Sequence, residues 1–513
     1  MNIKKLANSS LIVMIVLVVS KFLGLIRDSL MAKSFGLNDV QSFALGTTML
    51  FISISYGITA VLIPIHSKIK EIKNQDERNI FISNVINVVM IFTLLIVFGC
   101  IAGAKYIVLI FGSSLARDAA VYAEAVYLLR VMLLSLLFVS VQSILTAVLQ
   151  CYNKFLITSS APIFSNLIYI LYLLIFVNKF GLRGFGFATV LGFFTMMAIN
   201  IPTFIKLGYR YKFVIDFNDE NIKQMGKQLV PIVLCSSLVQ INIFIVRGFA
   251  GSLAPGYMAA IDYANRLDML VYEVFAQAIT IVIYPTLALY ISKKDSKGFS
   301  KELVKGINLV MMLMVPASIG LLVLREPLLA IYLKRGEFTA SSVTLTSNAL
   351  MYYIPTMIGY GVRDVINRGF FSINNVKTPM MNSILNVILN ILACAMAVGT
   401  GSIKAIALAS SIATIISTVI LFMSLKKKIE DIDMGNIIKA ILKILVASIV
   451  MGVMVYFTNN ILVDITNSEM LNYLITLVAS TFVGVVVYFI LLLVLKLEDL
   501  KYYIKVVKKN EKC

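Results

Sequence analysis

Apolar residues in this chain run in long blocks separated by short polar stretches. Fourteen blocks stand out, at roughly 7–33, 40–66, 80–102, 122–149, 156–178, 183–206, 228–249, 256–290, 302–324, 341–370, 378–398, 402–424, 437–457 and 470–496. Most exceed the ~18–20 residues that a helix rising 1.5 Å per residue needs to cross a bilayer. The pattern predicts an all-α polytopic membrane protein with 14 transmembrane helices. The first block follows Lys4 and Lys5 in the manner of a signal peptide. It is too long for one and no small-residue cleavage site follows, so it is expected as an uncleaved helix.

Composition narrows the class. Of 513 residues, 59% are hydrophobic and 14% charged, against about 25% charged in soluble domains. That excludes an ordinary soluble enzyme, a disordered chain and a disulfide-stapled module. The five cysteines, Cys100, Cys151, Cys235, Cys394 and Cys513, are scattered singly and form no CxxC pair. His66 is the only histidine, too little for a His-based triad or a zinc site; it is expected at an interface, ending a helix. No metal or other cofactor is expected. There is no Trp, so any interfacial belt must be built from Tyr and Phe.

Charge sets orientation. With the N-terminus inside, the inner loops carry roughly threefold more Lys and Arg than the outer ones, notably in Lys68–Arg78, Lys206–Lys227, Lys293–Lys305, Lys426–Lys428 and Lys496–Lys512. Both termini are expected in the cytoplasm, in a cytoplasmic membrane. The net charge of +19 then reads as a topology signal plus attraction to anionic membrane lipid. Nucleic-acid binding is not expected, because no basic domain stands outside the membrane.

Three internal matches fall in one register. "LIRDSLMA" at Arg27 resembles "FIVRGFAGS" at Arg247, "LIPIHSKIK" at Pro64 pairs with "VIYPTLALYISKK" at Pro285, and the segment at Asn153 pairs with that at Asn374. The three offsets agree to within a single position and span a little over two-fifths of the chain. A duplicated unit of this length holds six helices. The expected organisation is an N-lobe at 1–225, a C-lobe at 226–428, and a C-terminal helix pair with a basic tail at 429–513. An even helix count makes the two six-helix lobes parallel repeats, related by a pseudo-two-fold along the membrane normal. Such lobes place a site between them and read as a transporter.

Charges inside apolar blocks mark candidate function, since each costs about 2.5–3.5 kcal/mol at mid-bilayer. The first block holds Lys21, Arg27 and Asp28, the fourth Arg130, the eighth Asp262, Arg266, Asp268 and Glu273, and the tenth Arg363 and Asp364. Asp262 is expected to pair with Arg266 one turn away. Arg130, Arg363 and Asp364 fit a structural pin as well as a cavity lining. Lys21, Arg27 and Arg266 lie deeper, and as cations around a water-filled chamber they would suit phosphate oxygens. Between Ile444 and Leu495, blocks 13 and 14 have apolar cores with Gly452 and Gly484, and the only charges are Asp464 and Glu469 in the outer loop. That suits plain lipid contact or a substrate with an anionic head and an apolar tail.

"SKFLGLIRDSLMAKSFG", "LLRVMLLSLLF", "LQCYNKF…AP", "YANRLDMLVYEVFAQAITIVIYPTLA", "KRGEFTASSV" and "FFSINNVKTPM" together resemble the MurJ (MviN) lipid II flippases of the multidrug/oligosaccharidyl-lipid/polysaccharide exporter superfamily. The resemblance covers almost the whole chain. It implies fourteen helices, alternating access, a cationic cavity for the substrate pyrophosphate and a groove on helices 13 and 14 for its undecaprenyl tail. By position it assigns the pyrophosphate-binding roles to Arg27, Asp28, Lys21, Arg130 and Arg266. The chain departs from the family in having no basic residue between Lys33 and Lys68 and no Asp or Glu in 228–249 or 378–398, where some members hold sodium. Asn382, Asn386 and Asn390 line one face of the latter block.

The expected function is therefore a flippase, not an enzyme, that moves lipid II, a peptidoglycan precursor for cell-wall biogenesis and cell shape, from the inner to the outer leaflet. The alternative cargo is another undecaprenyl-pyrophosphate-linked saccharide, such as a teichoic-acid or capsule precursor. The membrane potential is the expected driving force, sodium coupling is not, and the chain is expected to act as a monomer. A glycosyltransferase using the same donors would need catalytic acids on outer loops, which here are short, with Asp464 and Glu469 alone in the loop between blocks 13 and 14.

Overall fold

A computed structural model describes residues 3–429, 432–462 and 468–495. Among them there is helix and no strand. The first half carries α1 (Ile3–Phe35), α2 (Asp39–Ile72), α3 (Gln75–Ala102), α4 (Ala104–Phe111), α5 (Ala119–Leu133), α6 (Ser135–Cys151), α7 (Phe155–Leu171), α8 (Val177–Ala198), α9 (Ile201–Lys206) and α10 (Glu220–Leu253). Then follow α11 (Tyr257–Ser292), α12 (Ser296–Leu333), α13 (Ala340–Tyr353), α14 (Pro355–Ser372), α15 (Lys377–Val398), α16 (Ile403–Lys426), α17 (Met434–Ile461) and α18 (Glu469–Val494). Nine helices among the described residues are long and apolar enough to cross a membrane. The expected basic tail from Lys496, Cys513 and Asp464 lie outside the described residues.

The short polar stretches supply the caps. Asn38, Asn74, Asp118, Asp219, Asp295 and Asp433 each accept a backbone N–H in the first turn of the helix that follows, meeting donors that have no partner within the helix. The long apolar blocks bend where the ladder is interrupted. One helix breaks at Leu134, between α5 and α6, and another at Ile354, between α13 and α14. These positions correspond under the offset of the sequence repeat, although only the second precedes a proline. A π-turn at Tyr172–Phe176 leads from α7 into α8. There Gly181 turns the chain with φ +54°, and its carbonyl accepts the Tyr172 hydroxyl at 2.5 Å.

The chain divides into two compact units, residues 1–259 with 335–338, and 260–334 with 339–513. Within the first unit, α10 packs along α2. The first unit has one core around Phe43, Leu128, Met132 and Phe185 and a second around Leu62, Val85 and Val148.

His66 corrects one expectation. It does not end a helix at an interface; α2 continues to Ile72 and the imidazole is fully buried. Its Nε2 lies 2.8 Å from the Tyr209 hydroxyl, and its ring is parallel to that of Phe81. The segment after α9 folds back to enclose it, a long-range contact that helical periodicity does not reveal.

Candidate anion-binding groups and apolar groove

In the first unit, α1 presents Arg27 to α7. Arg27 Nη1 donates to Asn166 Oδ1 at 3.0 Å, while Nε and Nη2 reach Asp28 Oδ1 at 3.0 and 2.8 Å. Asn166 is itself held, since its Nδ2 donates to the Ser20 carbonyl at 3.1 Å. The guanidinium carbon stands 5.6 Å from the Tyr169 ring centre, within cation–π range. The fork is thus fixed in plane and tilt, and its side chain is 27% exposed. Among the described residues three of the five guanidinium donors have partners, and the second protons of Nη1 and Nη2 suit an oxyanion. Lys21 lies on the same helix and is exposed.

In the second unit, α11 carries the matching group. Arg266 Nη2 and Asp262 Oδ2 are 2.9 Å apart, as their one-turn spacing predicts, with the arginine 25% and the aspartate 5% exposed. The Arg266 guanidinium carbon lies 5.6 Å from the Tyr263 ring centre. Each arginine therefore has a carboxylate beside it and an aromatic ring within reach. Pairing lowers the cost of keeping a guanidinium at membrane depth and moderates its hold on a second anion.

Other candidates are bound up in structure. Arg130 Nε donates to the Ile101 carbonyl at 3.1 Å, an orphan acceptor in the last turn of α3, where a cation also complements the helix dipole. None of its described contacts involves the Arg27 group. Asp268 is fully buried and accepts the Thr356 hydroxyl at 2.6 Å, fastening α11 to α14. Tyr272 donates to Asp364, and Arg363 Nη2 donates to Ser383 Oγ at 2.7 Å. Asn386 and Asn390 bond Ser417 and Ser410 of α16 at 2.7 and 3.5 Å, so this face of α15 is a helix–helix seam.

Several participants escaped the sequence reading. Asn166 and Tyr169 sit in a segment whose only signal was its repeat match. Arg247 on α10 packs its guanidinium against Gly46 of α2, where a Cβ would collide with it; the register with Arg27 was the available signal. Asp39, at the start of α2, accepts the N–H groups of Gly256 and Ala259 at 2.7 and 2.9 Å and so caps the first turn of α11.

The second unit also holds an apolar groove of about 520 Å3 between α11, α12, α17 and α18, with Phe275, Pro316, Gly320, Met451, Val455 and Phe489 among its walls. Its construction follows from one proline. Pro316 has no N–H to give the Met312 carbonyl four residues back, and the Tyr488 hydroxyl of α18 donates to that carbonyl instead, at 2.7 Å. Gly484 lets α18 approach Val455 and Met451 of α17, where a side chain would crowd them.

An all-helical chain with half-buried arginines paired to carboxylates and a lipid-sized apolar groove is a multi-pass membrane transporter in class, and its fold has solved counterparts. The structure is similar to "Lipid II flippase MurJ, inward closed conformation" with a TM-score of 0.80 and 24% identity, over 94% of this chain and 98% of that one. It is similar to an inward-facing multidrug resistance MATE transporter of the MOP superfamily with a TM-score of 0.69 and 13% identity, over 80% of this chain and 95% of the other. At these identities the likeness is one of fold. In sequence, the chain is 27% identical over 478 residues to the probable lipid II flippase MurJ of Buchnera aphidicola subsp. Baizongia pistaciae, covering 90% of this chain and 91% of that protein. It is 26% identical over 471 residues to the lipid II flippase MurJ of Thermosipho africanus, covering 90% and 92%. The family profile described as "Lipid II flippase MurJ" matches residues 31–478. The chain belongs to that family.

Proposed function

We propose that this protein flips lipid II from the inner to the outer leaflet of a bacterial cytoplasmic membrane. The observation that carries the reading is the coexistence of oriented guanidinium groups and an apolar groove in one chain of this family. The guanidiniums suit a diphosphate and the groove suits a polyprenyl tail. Arg27 and Arg266, with Lys21 and Asp28, are the groups assigned to the pyrophosphate. Arg130 acts there only through the fold, by holding the end of α3. The groove of α11, α12, α17 and α18 takes the undecaprenyl chain.

In this reading the chain crosses the membrane fourteen times with both termini in the cytoplasm. It consists of two six-helix repeats plus α17 and α18, and works as a monomer by alternating access. Outward movement of an anion down an inside-negative potential releases about 2.3 kcal/mol per charge per 100 mV, which suffices to drive the cycle without sodium. Arg247, lying against Gly46, brings a positive charge to the part of α2 before Lys68, which has no basic residue of its own, and this favours lipid II over other undecaprenyl-linked cargoes.

The test is a leaflet-accessibility assay for lipid II in cells whose own flippase is depleted and replaced by this chain. The wild-type chain restores outer-leaflet lipid II, whereas Arg27→Ala and Arg266→Ala do not. Unimpaired flipping by both variants overturns the assigned anion site. Failure of the wild-type chain, together with rescue of a teichoic-acid or capsule flippase defect, overturns the cargo.

A further inference from the structure

The connection between α9 and α10 was expected as a plain cytoplasmic loop, yet residues 209–217 run extended along α3 and are tied to it by side chains. Arg210 N–H donates to Asn79 Oδ1 at 3.3 Å and Lys212 N–H to Ser83 Oγ at 2.9 Å. Asp216 N–H donates to Asn84 Oδ1 at 2.8 Å, and Asn84 Nδ2 donates back to the Asp216 carbonyl at 2.9 Å. Asn87 Nδ2 donates to the Val214 carbonyl at 2.8 Å and its Oδ1 accepts the Tyr211 hydroxyl at 2.7 Å. The four α3 side chains are all buried. One edge of this backbone is therefore satisfied by protein rather than by water.

The side chains of the segment follow the opposite logic. Tyr211, Phe213, Ile215 and Phe217 alternate along it and are 58%, 78%, 43% and 48% exposed. A period of two puts the first three on one face of the run 209–216, and Phe217 follows in the turn that ends it. That face continues onto the outward side of α3, where Phe92, Leu95 and Phe98 are exposed, through the edge contact between Phe92 and Phe217. α3 is itself a candidate membrane span. A linker in water has no need of buried asparagines to satisfy its backbone and gains nothing from a row of exposed aromatic residues. In lipid both features are required, because an unsatisfied peptide group there costs several kcal/mol.

We propose that residues 209–217 form a strap inserted at the headgroup–acyl boundary of the leaflet at this end of α3, with Phe213 and Ile215 among acyl chains. The occupant of the apolar face is phospholipid, because the face is continuous with the lipid side of α3. Arg210, exposed at the start of the strap, reaches the lipid phosphates.

The absence of Trp from the chain makes the test clean. Phe213→Trp and Ile215→Trp each create a single reporter in an otherwise wild-type protein, reconstituted in phosphatidylcholine–phosphatidylglycerol vesicles. Bromines on the acyl chains are expected to remove about half of either signal, with blue-shifted emission and little loss to aqueous iodide, as for an interfacial anchor. Lys297→Trp, at an exposed position on the first turn of α12, gives the reverse pattern. Asn84→Ala in the Phe213→Trp background increases iodide quenching about twofold, by releasing two of the backbone bonds. Iodide quenching of both strap reporters to the Lys297→Trp level overturns the proposal. So does protection from both quenchers, which would mark a protein contact instead. Neither readout depends on which lipid the protein transports.

Discussion

Asn153 and Asn374, equivalent positions of the sequence repeat, adopt the same left-handed backbone, with φ of +57° and +56°. Each closes the helix before it in the same way. Lys154 N–H reaches back to the Leu149 carbonyl and Asn375 N–H to the Phe370 carbonyl, both at 2.9 Å. The helices that these turns terminate follow breaks at Leu134 and Ile354, which correspond under nearly the same offset. Two positions paired by the sequence match thus share one backbone conformation, which Lys294 just past the end of α11 also adopts.

The left-handed turns predict a stability pattern. Asn tolerates this conformation, Gly adopts it freely, and a β-branched residue is strained there by roughly 1–2 kcal/mol. Asn153→Gly and Asn374→Gly are expected to leave thermal unfolding in detergent unchanged or slightly raised. Asn153→Val and Asn374→Val should each lower it by comparable amounts, and unequal effects would argue against equivalent turns.

Arg27 depends on Asn166 for its orientation. Asn166→Ala removes a hydrogen bond to a charged group, an interaction in the range of about 1.5–3 kcal/mol, so lipid II flipping should fall by roughly tenfold or more while the protein still folds. Arg27→Lys keeps the charge and loses the fork, and it should rescue little of the Arg27→Ala defect. Full activity of Arg27→Lys would show that charge alone suffices.

Arg130 is expected to act on stability rather than transport. Arg130→Gln should cost about 1 kcal/mol by uncapping the end of α3, measured as a lower melting temperature. Flipping per folded molecule should stay near wild type; a loss of flipping with unchanged stability would return Arg130 to the substrate site.

Pro316 and Tyr488 form a testable couple. Tyr488→Phe strands the Met312 carbonyl and should cost about 1 kcal/mol. Pro316→Ala supplies the missing backbone donor, so Tyr488→Phe should cost clearly less in that background, a non-additivity of the kind that double-mutant cycles measure. Strict additivity would mean that the hydroxyl does not replace the lost helix bond.

Energetic coupling can be read in potassium-clamped vesicles. With two phosphate charges moving outward, an inside-negative potential of about 100 mV should favour flipping by about 4–5 kcal/mol at equilibrium. Replacing sodium with choline should change nothing. Flipping indifferent to the imposed potential would exclude this driving force.

The helices were legible from the sequence because a bilayer-length apolar block admits few other solutions; the Asn and Asp caps at the block edges were not read there. The pairing of Asp262 with Arg266 was legible as well, being one turn apart on one helix. Asn166 was not, since its relation to Arg27 spans 139 positions and an asparagine in an apolar block carries no periodic signal. The burial of His66 was hidden for the same reason: Tyr209 and Phe81 come to it from other parts of the chain.

By itself, then, the sequence determined what depends on local spacing and on the solvent: apolar helical spans, the Asp262–Arg266 pairing one turn apart, and the family. The tertiary structure alone decided which side chains meet. It set Arg27 against Asn166, put Arg130 Nε on the Ile101 carbonyl, placed α10 against α2, and laid an apparent loop along α3. These outcomes rest on contacts between distant segments, whose energy depends on packing geometry and burial, and neither quantity is written in the order of residues along a single helix.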